Sequence, residues 1–402
     1  MALATVFPTQ AVPTGEPVRA RRVVWVNEDA RLTGGAELYV RETARRLRPL
    51  GFSSVLLYST EGRVDPAFVA SFDAAFPMVE LAAQIRDVAP DLVYLHRVNG
   101  WRRIEEARRG GAPVLRFFHD HRPFCLREHK YTAIGSRTCT RPIGAGCYAC
   151  LGFVNRSDRF PGITLRTLRA LEAELAVSRR LDGFVVGSEY MARHVADHGF
   201  DPRRTHVLPL YSPPPAVTPM VRRDENLLLS VGQLVWGKGI DVLLEAMALL
   251  PPRVRLVIAG SGRKEPTLRA IAARLRLGER ARFVGSRSGP ELDRLYAEAR
   301  AVVFASRSPE TFGLVGPEAM RLGTPVVATT VGGIGEWLDD GVTGLAVPPN
   351  DPTALAAALR RVIDEPGLAE RLGRAGRARY DARFRPESHL EALATLFRRI
   401  AP

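Results

Sequence analysis

Residues 306–333, SRSPETFGLVGPEAMRLGTPVVATTVGG, leave the backbone few choices. Pro317 suits the first turn of a helix that Glu318-Ala319-Met320 continues, and Gly323-Thr324-Pro325 stops it. Val326-Val327-Ala328 is then a short apolar run of the kind that fills a buried parallel strand. The stretch predicts loop, short helix, turn and strand, with Glu310 on the loop and Glu318 at the helix start. Amides at a helix start behind a glycine-containing loop suit an anion. A carboxylate there would repel a phosphate, so Glu318 is expected to accept hydrogen bonds from neutral hydroxyls. Hydroxyls and phosphate side by side suggest a nucleotide ribose.

The rest of the chain repeats strand–loop–helix units, and 402 residues are enough for two cores. Val23–Val26 reads as a strand, Asn27–Gly35 as a loop, Ala36–Leu50 as a helix that Gly51 ends, and Ser54–Tyr58 as the next strand. That βαβ unit puts Gly34-Gly35 at the carboxyl edge of a parallel sheet, where ligands bind. Val79–Leu81 reads as a weak strand and Leu81–Val88 as a short helix. Strands at Asp91–His96 and Pro113–Phe118 follow, the second running into His119-Asp120-His121. Arg156–Arg180 reads as a basic amphipathic helix, an ordinary packed surface helix or a contact for an acceptor or a lipid surface. After the strand Asp182–Val186, Ser188 is placed to cap a helix. Ser212-Pro213-Pro214-Pro215 then looks like a stiff linker. The rhythm restarts with a strand at Asn226–Val231, the loop Gly232–Gly239 carrying Lys238, and a helix from Ile240 to Leu250. A lysine in such a loop can neutralise phosphate at close range. A strand at Arg255–Ile258 ends in the glycine turn Gly260-Ser261-Gly262, and helices are expected at Pro366–Arg377 and His389–Ile400.

Glu310-Thr311-Phe312-Gly313-Leu314, Glu318-Ala319-Met320, Gly323-Thr324-Pro325-Val326-Val327-Ala328 and Gly332-Gly333, in this order, resemble the E-x7-E signature of the family 4 retaining glycosyltransferases of GT-B fold. The resemblance implies an α/β protein of two Rossmann-like doubly wound domains facing across a cleft. Residues 20–210 would form the acceptor-side domain, with a Cys-rich insert at about 122–152. Residues 220–384 would bind the nucleotide sugar, and a helix in 385–402 would cross back to the first domain. It implies transfer of a sugar, with retention, from a UDP- or GDP-sugar to a saccharide or lipid-linked acceptor in polysaccharide or glycolipid synthesis. No bound metal is needed for that chemistry. In the family, the loop matching Gly34-Gly35-Ala36-Glu37 faces donor and acceptor, and the His-Asp matching His119-Asp120 contacts the donor sugar at the catalytic centre. Two cations of the Gly232–Gly239 loop grip the diphosphate. Lys238 matches one of them, but Gln233 stands where an arginine is expected. Arg263 is a candidate replacement. Gly260 matches a second glycine turn, and Val284 lies in the segment whose backbone reads the base. The amides of Phe312, Gly313, Leu314 and Val315, with Lys238, would stabilise the leaving diphosphate, while Glu310 holds sugar hydroxyls and Glu318 the ribose. His119, Glu310 and Lys238 are thus the expected catalytic residues. The resemblance spans roughly 22–400 and is loosest between 60 and 180.

Charge and cysteines leave other readings open. The net charge is +14, and residues 101–180 hold 16 Lys/Arg against 7 Asp/Glu. Such a surface fits a phosphorylated substrate, an anionic membrane or a nucleic acid, or is a solvated face. No nucleic-acid-binding module is recognisable, and no nucleic-acid partner is expected. A basic nucleic-acid binder, or a GT-B relative of another class such as a phosphorylase or epimerase, remain the alternatives. Residues 1–19 lack the pattern of a signal peptide and read as a loose tail. With no apolar run long enough to span a bilayer, a cytoplasmic protein is expected, with peripheral contact at the inner face of the membrane. Cys125, Cys139, Cys147 and Cys150 are the only cysteines and fall within 26 residues. Cys147 and Cys150 make a Cys-x2-Cys pair, so one structural zinc is expected, against an iron–sulfur cluster, free thiols or two disulfides.

Overall fold

The computed structural model describes residues 20–402 except 33, 60–62, 99, 133–134, 151, 157–162 and 217–218. The tail expected over residues 1–19 lies outside the described residues. Valine- and leucine-rich runs make two parallel sheets. The first contains β1 (Arg21–Asn27), β2 (Phe52–Tyr58), β3 (Ala74–Pro77), β4 (Leu92–Leu95) and β5 (Val114–Phe117). After a small antiparallel hairpin, β6 (Val154–Arg156) and β7 (Ile163–Leu165), it is completed by β8 (Gly183–Val186) and β9 (Thr205–Val207). Its strand order is β3-β2-β1-β4-β5-β8-β9, with every pairing parallel. The second sheet contains β10 (Asp224–Val231), β11 (Arg255–Ala259), β12 (Ala281–Gly285), β13 (Ala299–Phe304), β14 (Val326–Thr329) and β15 (Gly344–Val347). Its order is β12-β11-β10-β13-β14-β15, again parallel throughout. Strands β1, β4 and β5 are buried on both faces, as a sheet covered by helices requires. Each order reverses once, between β1 and β4 and between β10 and β13. The crevices beyond those strand ends are where a doubly wound fold binds ligands.

Five helices matter most for the site and for how the halves are joined. They are α1 (Gly35–Leu47), α2 (Leu168–Ser178), α3 (Ile240–Ala248), α4 (Val315–Met320) and α5 (Pro386–Ile400). Helix α5 leaves the second domain and packs on the first, where the Phe397 ring meets Phe52 and Tyr94 edge-on at 5.7 and 5.1 Å. Tyr39 on α1 and His389 on α5 are hydrogen-bonded at 2.8 Å. The two chain crossings touch each other, with Ser212 N donating to Phe384 O at 3.1 Å.

Three sequence expectations are corrected. The edge strand is β3 rather than 79–81, because residues 74–77 reach the register of β2 and Val79 is left 73% exposed. The helix expected over 156–180 starts only at Leu168. Residues 163–165 are drawn into the hairpin, and Thr167 caps the helix by accepting from Ala170 N at 3.2 Å. Residues 157–162 of that expected helix are outside the described residues. The helix expected from 366 to 377 runs from Leu368 to Arg383. A further helix, Pro352–Asp364, precedes it and is capped by Asp351.

Candidate active site

The loops beyond β1, β4 and β5 face those beyond β10, β11 and β13. From β10 the chain turns through Gly232 to Gly239, and two glycines allow the packing. A Cβ on Gly260 would lie 1.8 Å from Gly232 O, and one on Gly239 would lie 1.9 Å from Ala305 O. Both have positive φ, +156° and +65°. The loop therefore lies flat on its neighbours and holds Lys238 at the sheet edge. There the Lys238 ammonium bonds both Glu310 oxygens, at 2.9 and 3.0 Å, and Ser306 Oγ donates to Glu310 Oε1 at 2.6 Å. Two expected catalytic residues are thus one hydrogen-bonded unit.

Beyond Glu310 the chain enters α4. The Phe312 side chain is fully buried in the core, so only its backbone can face a ligand, and Phe312 O accepts from Trp337 Nε1 at 2.8 Å. Among the described residues, the N–H groups of Gly313, Leu314 and Val315 have no acceptor. They form a patch of unpaired donors suited to an anion. Glu318 sits one turn in, where Tyr296 donates its hydroxyl to Oε2 at 2.6 Å. The other carboxylate oxygen has no hydrogen-bond partner among the described residues. Burial raises the Glu318 pKa, and the Tyr296 hydrogen bond and the Arg321 charge partly counter it.

The opposite wall is close. A Cβ on Gly34 would lie 4.0 Å from Gln233 Nε2, and one on Gly35 would lie 3.2 Å from Leu314 Cδ1. Gln233 and the Gly34-Gly35 loop therefore meet across the cleft. Arg263 is exposed on the turn whose Gly262 packs against the backbone of Leu234. Val284 lies at a register shift between β11 and β12, and Gly260 N donates to Gly285 O at 2.9 Å.

His119 closes the site from β5. It shares a 2.8 Å hydrogen bond with His96 and stacks on Phe117 at 4.1 Å between ring centroids. Burial pushes its pKa down to about 4, so the ring is neutral at pH 7. Its carbonyl accepts from Thr311 Oγ1 at 2.9 Å, and Ser188 Oγ donates to Thr311 O at 2.6 Å, so the first half holds the glutamate loop of the second. Residues that sequence reasoning passed over complete the wall. Arg97 bonds Glu37 at 2.6 Å and Asp29 at 3.2 Å. Its position directly after a strand end was the available signal.

The Cys-rich segment spans the cleft. Thr138 Oγ1 donates to Arg307 O at 2.9 Å, and Trp236 Nε1 donates to Ser136 Oγ at 3.1 Å. The Arg307 guanidinium lies over the Trp236 ring at 4.8 Å and bonds Asp241 on α3 at 2.7 Å. Cys125, Cys139, Cys147 and Cys150 are half-buried free thiols. Among the described residues, no three His, Cys, Asp or Glu side chains stand together as a ready metal cage. No described helix is long and apolar enough to cross a membrane.

Two family models match the chain, one described as glycosyltransferase family 4 over residues 33–210 and one as glycosyl transferases group 1 over residues 220–379. A Mycobacterium tuberculosis glycogen synthase is 39% identical over 176 residues, 42% of each chain. A Frankia alni D-inositol 3-phosphate glycosyltransferase is 42% identical over 170 residues, covering 39% of this chain and 42% of that protein. The match thus spans about two-fifths of the length of these curated relatives. Among solved structures, Anabaena HepE in complex with UDP and glucose superposes with a TM-score of 0.72 at 18% identity, covering 94% of this chain and 99% of that one. Sucrose-phosphate synthase from Thermosynechococcus elongatus gives 0.71 at 22% identity, with the same coverage. With both halves matched and the strand orders, cleft and E-x7-E loop in place, the chain belongs to the group 1, family 4 glycosyltransferases of GT-B fold.

Proposed function

We propose that this protein transfers a sugar from a nucleotide diphosphate sugar to an acceptor hydroxyl, with retention at the anomeric carbon. One observation carries the reading: Lys238, Glu310 and the free amides of residues 313–315 lie together, opposite Gly34-Gly35. The diphosphate would lie on those amides, with Lys238 leaving Glu310 to meet it. Glu310 would then accept from hydroxyls of the donor sugar, and Glu318 from the ribose. As the anomeric C–O bond breaks, its electron pair goes to the leaving phosphate oxygen. Amides and ammonium fixed at that place stabilise the growing charge more than they do the ground state. The acceptor oxygen attacks from the same face, and the leaving phosphate oxygen takes its proton. His119, held neutral, offers a hydrogen bond to the sugar rather than a charge.

The donor is proposed to be a UDP- or GDP-sugar, and the acceptor a saccharide or a lipid-linked saccharide. Exposed Val79 and Trp101, beside Arg102 and Arg103, suit contact with an anionic membrane face. A screen of nucleotide sugars without acceptor, following slow hydrolysis, tests the activity and names the donor. NMR of the anomeric proton in the product tests retention. No hydrolysis or transfer from any nucleotide sugar, with correctly folded protein, would overturn the reading.

A further inference from the structure

Beside the cleft wall, in the segment between β5 and β6, a lysine is buried without a carboxylate. Lys130 is 2% exposed, and its ammonium donates to Arg141 O. Among the described residues it enters no ion pair. The thiols of Cys139, Cys125 and Cys147 are its electrostatic neighbours. The other ionisable groups facing it, Arg141, His121, His194 and His198, supply no negative charge. A buried ammonium carries three donor hydrogens and a charge that must be compensated. Among the described residues facing it, only sulfur can compensate it.

Three backbone features point the same way. Glu128, Lys130 and Ser136 have positive φ, 69°, 50° and 47°, a conformation that non-glycine residues keep only when their surroundings hold them. Cys147 and Cys150 lie on one 3-10 turn, Ala145–Cys150, whose i and i+3 side chains share a face. Cys139 N donates to Lys130 O at 2.7 Å, which ties the third cysteine to the lysine.

We propose that Cys125, Cys139, Cys147 and Cys150 close on one structural zinc ion, with Lys130 as the counter-charge of the tetrathiolate. Four thiols release four protons to solvent, and the zinc tetrathiolate that forms carries two negative charges. The Lys130 ammonium lies beside it as a donor to sulfur, in the outer-sphere role that tunes such sites. The side chains must turn inward from their present positions as separate thiols. Ser136 and Thr138 belong to the same segment and bond the second domain, so the metal would fix the wall against which the Trp236–Lys238 loop rests.

Chelator-treated protein titrated with zinc alone should bind one ion per chain in competition with a chromogenic chelator. Cobalt in its place should give the thiolate-to-metal absorption of a tetrahedral site. Lys130→Met should keep that stoichiometry and weaken zinc binding about tenfold or more. Cys147→Ser with Cys150→Ser should abolish it. Zinc should also shield the four wild-type thiols from a thiol reagent, a reading that holds if the variants fail to fold. The proposal falls if reduced wild-type protein takes up no zinc and all four thiols react equally with and without it. Uptake unchanged by the double serine variant would likewise overturn it. These readouts need no sugar donor, so they stand apart from the test of the transferase reading.

Discussion

The Lys238 ammonium lies 2.9 and 3.0 Å from the two carboxylate oxygens of Glu310, residues 72 positions apart and each expected to serve a different part of the donor. The pair neutralises itself, with 28% of the lysine side chain and 14% of the glutamate side chain exposed. A diphosphate is a stronger partner for the ammonium than one carboxylate, so its arrival frees Glu310 for hydroxyls. Under the proposed function, donor binding would exchange the Lys238–Glu310 pair for a Lys238–diphosphate pair and leave the Glu310 carboxylate to hydrogen bonds from Ser306 and the sugar hydroxyls.

Because the pair is mutual, removing either member should act differently. Glu310→Ala leaves Lys238 available to phosphate, so nucleoside diphosphate affinity should hold or rise while kcat falls. Lys238→Met should weaken that affinity. Steady-state kinetics beside calorimetric titration separate the two. Equal losses of affinity in both variants would contradict the exchange.

Glu318 offers one open oxygen and has the other fixed by Tyr296. Glu318→Ala should weaken nucleotide binding by about 1.5–3 kcal/mol, the worth of hydrogen bonds to a charged group. That is roughly ten- to a hundredfold in Kd. Tyr296→Phe should cost less. A deoxyribose analogue should bind wild type weakly and gain nothing from intact Glu318. Full wild-type affinity in Glu318→Ala would refute the ribose contact.

Gln233 and Arg263 concern the missing cation. If Arg263 supplies it, Arg263→Ala should weaken UDP or GDP binding and leave the nucleoside unaffected, while Gln233→Arg changes little. If Lys238 acts alone, Gln233→Arg should tighten the diphosphate. Titrations of both variants with nucleoside and nucleoside diphosphate decide between these outcomes.

Burial holds His119 and His389 neutral, with pKa values pushed down to about 4 from the ordinary 6.5. The unfolded chain binds these protons near pH 6.5 and the folded chain does not. Their stabilising contribution is therefore complete above about pH 6.5 and is lost as pH falls toward 4. Each histidine steepens the loss by about 1.4 kcal/mol per pH unit within that window. Urea midpoints measured across the window should show this slope, and His389→Gln should reduce it by one proton.

Gly316 lies against Trp337. A Cβ there would come within 2.4 Å of the indole ring, which is fully buried and bonds Phe312 O. Gly316→Ala should cost about 1–3 kcal/mol by overpacking and disturb the amide patch. Gly335→Ala, with nothing within 4 Å, is the matched control. Denaturant midpoints of the two variants check the difference.

What could be read in the chain was local. The run from Glu310 to Ala328 encodes loop, helix and strand in adjacent residues, and the βα rhythm of each half fixes its sheet. Contacts between distant residues have no such trace. Nothing in sequence marks Tyr296 as the partner of Glu318, His96 as the partner of His119, or Lys130 as the buried neighbour of three cysteines. Sequence places the edge strand at 79–81 because Val79 looks apolar, while pairing with β2 selects Ala74–Pro77. The basic helix reads longer in sequence than it is, because its apolar periodicity continues through residues 163–165, which the hairpin claims.

The contact of Ser212 with Phe384 has a consequence for synthesis and for movement. The chain passes from one half to the other twice at a single place, which acts as a pinned joint, so separation of the halves is a rotation about that pin rather than a slide. Phe397, which lies against Phe52 and Tyr94 in the first half, arrives only after the whole second half has been translated. On a ribosome the first half must therefore wait, with that face of its sheet uncovered, until the second has emerged.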